Sequence, residues 1–107
     1  MDNAQLSQDI KAARDNVRTF ATEVKKADAE MRSFGKSSDT LAQKKKSLTS
    51  QLSSQEKQME LLNKAYEEQV SKSGKTSVQS QKLERDINNL GAEMAKTQGK
   101  IDSVTNE

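Results

Sequence analysis

The most suggestive chemistry in the sequence is the triplet Gly74-Lys75-Thr76. It matches the end of a phosphate-binding loop, G-x-x-x-x-G-K-[ST], in which backbone amides and the lysine cradle a phosphate. Here Gln69 stands where that loop needs its first glycine, and no strand-like stretch precedes it. The triplet therefore reads as a polar turn. Lys44-Lys45-Lys46 is the sole basic cluster and reads as a solvated helix face rather than a phosphate contact. Serines are plentiful, but the chain has no histidine and no cysteine. The usual general base, thiolate nucleophile and common zinc ligands are thus missing, and no serine has a base to activate it. The carboxylates are spread among basic neighbours, so no pair has the desolvated setting that sets an acid against a base. We expect no enzyme: no catalytic residue, no cofactor, no metal site and no small-molecule substrate.

Charge excludes a second class. The formal net charge is +2. Residues 1–34 carry six basic and six acidic side chains, residues 35–73 seven and five, and residues 74–107 five and five. With no basic tail, specific nucleic-acid binding is not expected. The lack of cysteine fits a reducing compartment, or a virus particle assembled in one. No signal-peptide core and no membrane-length apolar run occurs, so the chain reads as soluble, without membrane contact.

What remains is periodicity. Stepping by four and three from Leu6 reaches Ile10, Ala13, Val17, Phe20, Val24, Ala27, Met31, Phe34, Leu41, Leu48, Leu52, Met59, Leu62, Tyr66, Leu83, Ile87, Leu90, Met94, Ile101 and Val104. All fall in one heptad frame, with d at Leu6 and a at Ile10. A repeat averaging 3.5 residues keeps a narrow stripe facing a partner helix. Such packing needs about two apolar positions in seven, which suits a chain that is 31% hydrophobic and 32% charged. Disorder is the competing explanation for such polarity; the steady period and the absence of proline weigh against it. Tyr66 falls in the stripe and reads as a packing residue, not a base-stacking platform.

The stripe predicts an all-α chain with three long helices, at about 2–34, 39–72 and 77–105, and breaks at 35–38 and 71–76. Asp2 or Asn3 is placed to cap the first helix. Gly35 suits a left-handed cap after Phe34, and Ser37, Ser38 or Asp39 can start the second helix. From Gln69 to Gln81 the frame positions are polar, and Ser71 to Ser77 reads as a loop with Thr76 or Ser77 capping the third helix. Val70 and Val78 flank this loop and could clasp it. Within the second helix, Lys45 and Gln55 interrupt the stripe; such polar positions cost stability and can set register or oligomer number. Asp28–Arg32 and Glu60–Lys64 are spaced for ion pairs along a helix.

Two architectures share these helices. One is an elongated coiled coil, a near-continuous rod about 150 Å long formed by two or three chains. The other is a compact up-down-up bundle. The glycine-bearing breaks favour folding back. The unbroken phase favours the rod, and we expect the extended form, self-associating as a dimer or trimer. Flanking charges do not choose: Asp9 and Arg14 would attract across a parallel dimer, whereas Glu23 and Asp28 would repel. A charge at Val17 or Val24 is expected to abolish most helical signal.

The stretch FGKSSDTLAQKKKSLTSQL from Phe34 to Leu52 carries a further signal, with Leu62, Tyr66, the gap at Gly74 and QKLERDINNL from Gln81 to Leu90. A serine/aspartate break is followed by Leu41, Lys44, Leu48 and Gln51 in a Leu-x-x-Lys-x-x-x-Leu-x-x-Gln pattern. In this the chain resembles tail tape measure proteins of long-tailed bacteriophages and prophages of Gram-positive bacteria. The resemblance is one of style and spans roughly residues 10–105. It implies a helical filament inside the tail tube that sets tail length and leaves ahead of DNA. Partners would be tail-tube and tail-tip proteins, and the site would be the virion, after synthesis in the host cytoplasm. The chain would be one segment of a much longer protein, with Met1 added for expression. The alternatives are a cytoplasmic spectrin-like or tethering coiled-coil spacer and a helical protein-binding module.

Overall fold

The computed structural model describes residues 3–106. It is all-α, with α1 at Asn3–Phe34, α2 at Ser38–Ser73 and α3 at Val78–Thr105, and no strand among the described residues. α1 begins at Asn3; the cap expected from Asp2 or the Asn3 side chain lies outside what the structure describes. Ser37 caps α2, its Oγ accepting from the Thr40 amide at 3.1 Å. Ser77 caps α3 in the same way, accepting from the Ser80 amide at 3.1 Å. Each cap satisfies an amide that the first helical turn leaves unpaired.

The second break is shorter than expected, because Ser71, Lys72 and Ser73 are helical. Ser73 Oγ donates to the Gln69 carbonyl at 3.1 Å and accepts from Gln69 Nε2 at 2.7 Å. The valine clasp does not form: Val70 is half-buried, but Val78 is 75% exposed.

The chain takes the second of the two architectures. The helices fold back into an up-down-up bundle of 54 × 22 × 17 Å, not the near-continuous rod that the shared phase favours. The turning points are Gly35 and Gly74, at φ 81° and 82°. Most side chains are strained at such angles and glycine is not. The Gly35 amide closes onto the Met31 carbonyl at 2.9 Å, and the Gly74 amide onto the Val70 carbonyl at 2.8 Å. A heptad stripe needs a partner stripe, and a short turn supplies one within the chain at a high effective concentration.

Shared clefts give the register. Leu6 and Ile10 line one cleft with Ala65 and Gln69, Ala13 another with Leu61, and Ala27 a third with Ser47. α1 and α2 are therefore antiparallel. Leu62 shares a cleft with Leu90, while Leu48 packs against Val104, so α2 and α3 are antiparallel as well. α2 is central: no described Cα of α1 comes within 8 Å of one in α3. The bundle is slender. Its radius of gyration is 16.8 Å, against about 13 Å for a compact domain of this length. At 1.5 Å per residue, the 36 residues of α2 account for the whole long dimension.

α3 holds two glycines within its length, Gly91 and Gly99, where an added Cβ would meet no atom within 4 Å. Alanine is expected to stabilise the fold at each by up to about 1 kcal/mol, through helix propensity alone. Denaturant unfolding of the double variant measures the gain; a loss would mean that α3 is not a continuous helix in solution.

Candidate functional site

With no chemical cluster in the sequence, the candidate site is the helix seam. Its centre is Leu48, fully buried at 0% exposure between Val24 of α1 and Val104 of α3, with Leu41 and Ile101 alongside. Leu62 and Leu90 are also buried. Leu6, Ile10, Val17, Phe20, Met31, Leu41, Leu52, Met59, Tyr66, Leu83, Ile87, Met94 and Ile101 are half-buried. Ala13 and Ala27 are buried too; small residues there let α1 approach α2 closely. Phe34 departs from the expectation. It is 89% exposed, because it is the last residue of α1 and points past the end of the seam.

The polar interruptions behave differently from one another. Lys45 is exposed, its long side chain carrying the ammonium to water. Gln55 is buried to 1% exposure, and its Oε1 has no hydrogen-bond partner. Ser80 and Thr97, also at frame positions, are buried but satisfied. Ser80 Oγ donates to the Gly74 carbonyl at 2.8 Å, and Thr97 Oγ1 to the Glu93 carbonyl at 3.1 Å.

Two features fall outside the heptad reading. Leu61 is buried although it lies off the frame. The central helix must cover neighbours on two sides, so its apolar face is wider than an a/d stripe; the adjacent pair Leu61-Leu62 is the signal for it. Asp28 pairs with Lys44 of α2 at 2.8 Å, rather than with Arg32 one turn on. Lys44 thus leaves the basic run to join two helices, while Lys45 and Lys46 stay exposed. Ser47 adds a second tie, its Oγ donating to Glu23 Oε2 at 3.1 Å.

A cleft of about 320 Å³ is lined by all three helices. Arg14 and Arg18 line one side, Asp86 and Glu93 the other, and Gln55 and Leu62 come from α2. Gly74-Lys75-Thr76 lies in an exposed turn, where Gly74 serves the reversal of the chain. Among the described residues no group of three or more histidine, cysteine, aspartate or glutamate side chains is placed to hold a metal ion. No helix among them is long and apolar enough to cross a membrane. No family model matches the sequence, and no curated protein or solved structure is significantly similar to it.

Proposed function

We propose that this chain is a structural, non-enzymatic segment whose output is distance, and that it belongs to a phage tail tape measure protein acting in tail assembly and length determination. One observation supports the distance role above all. α1 starts at one end of the bundle and α3 finishes at the other, so the chain enters and leaves a slender unit 54 Å long. The resemblance at Phe34–Leu52 and Gln81–Leu90 supports the tape measure. In that role the segment works inside the tail with tube and tip proteins and is ejected during genome delivery.

Tail length tests the reading. Deleting these residues from a tape measure shortens the tail by about 160 Å if the segment lies there as a straight helix at 1.5 Å per residue. The shortening is near 54 Å if it lies folded as here. Electron micrographs showing unchanged tails would rule the tape measure out. A second reading, a spectrin-like tethering spacer, is favoured by the folded unit with its ends apart. Under it, the same deletion draws the flanking domains together by about one bundle length, in a protein unconnected with tails.

A further inference from the structure

The apolar stripes are consumed within one chain, so association through them requires the bundle to open. The two turns differ in burial. The second is bonded into the fold: Ser80 is fully buried and donates to the Gly74 carbonyl at 2.8 Å. Ser77 Oγ donates to Ser80 Oγ at 2.9 Å. The first turn lies in solvent. Every residue from Arg32 to Asp39 is exposed, and Phe34 is the one apolar stripe residue, among those described, left in water.

The heptad phase nevertheless runs through this first turn, with Phe34 and Leu41 seven residues apart. A hairpin gains nothing from that spacing. A straight helix does, because only in phase do the α2-facing side of α1 and the α1-facing side of α2 fall on one stripe.

We propose that the chain exchanges α1 with a second copy of itself by straightening the segment around Gly35. In the exchanged dimer, α1 of each copy lies on α2 of the other. Val24 of one copy then packs against Leu48 and Val104 of the other, remaking the contacts of the monomer. Each copy runs as one helix from Asn3 to Ser73, about 105 Å at 1.5 Å per residue. The two long helices cross near the turn, and the two Phe34 rings meet around the two-fold axis. Since the bundle contacts are the same in both forms, the balance rests on the turn and on Phe34. The exchange does not depend on the function proposed above.

Gly35→Ala is the test. A Cβ at Gly35 meets no atom within 4 Å, so the change acts through the backbone, against the left-handed turn and for the helix. At high micromolar concentration, light scattering should give twice the 11.9 kDa monomer mass. Small-angle scattering should give a longest dimension approaching about 105 Å, with the helical circular dichroism retained. Adding Phe34→Ser should weaken the dimer by at least roughly tenfold. Gly35→Asn, which tolerates the left-handed turn, should stay monomeric. A helical Gly35→Ala monomer near 54 Å long overturns the proposal. So does loss of helical signal or an aggregate without defined mass, since a straightened hinge leaves every seam contact available.

Discussion

Leu48→Ala should lower the melting temperature by more than about 8 °C, and Leu48→Asp should leave little helical signal. Leu48 is the side chain through which all three helices meet: it is fully buried, with Val24 on one side and Val104 on the other. Truncating such a leucine costs about 2–5 kcal/mol, from lost transfer energy and the cavity left behind. In a domain of this size each kcal/mol moves the midpoint by about 4–8 °C. The core has little reserve, since its other buried apolar members include Ala13, Ala27, Val24 and Val104, each of which contributes less area than leucine. The charged variant also places a carboxylate in a site with no partner. The structure ranks the two α1 positions where a charge was expected to abolish helicity. Val24→Asp strikes the buried cluster and should unfold the chain, whereas Val17, half-buried, should give a smaller loss. Phe34→Ser, at an 89% exposed position, should leave the monomer's melting within about 0.5 kcal/mol of the parent. Thermal melts followed by circular dichroism check the series. Equal melting of the Leu48→Ala and Phe34→Ser variants would mean that the helices do not pack as described.

The second large effect has the opposite sign. Gln55→Leu should raise stability by about 1–3 kcal/mol. Gln55 is 1% exposed, and its Oε1 accepts no hydrogen bond. A buried acceptor without a donor carries its desolvation penalty uncompensated, about 1–3 kcal/mol. Leucine is close enough in size to fill the site without that penalty. The glutamine also lines the cleft that holds Arg14, Arg18, Asp86 and Glu93. Denaturant unfolding of the variant provides the measurement. A destabilised Gln55→Leu would show that the amide finds a partner in solution, with an ordered water the simplest candidate. Leu61→Gln offers a contrast, since it creates an amide where the structure has a buried leucine, and it should destabilise.

The three helices and most of the buried set follow from local spacing. Heptad spacing marked Leu48, Leu62, Leu90 and Val104, because a helix with 3.6 residues per turn brings residues three and four apart onto one face whatever lies opposite. Ser37 and Ser77 were legible only as one candidate cap each, among Ser37, Ser38 and Asp39 and among Thr76 and Ser77, and Gly35 as a left-handed turn, because those are properties of a few adjacent residues. The direction of the chain after Gly35 was not legible. The unbroken phase from Phe34 to Leu41 fits a straight helix; the hairpin forms because burying α1 against α2 of the same chain outweighs continuing the helix. The same nonlocal choice exposed Phe34, widened the buried face of α2 to include Leu61, and turned Asp28 from Arg32 to Lys44. A stripe specifies that a helix face must be covered; which face covers it depends on residues far apart in the chain, and local spacing carries no record of them.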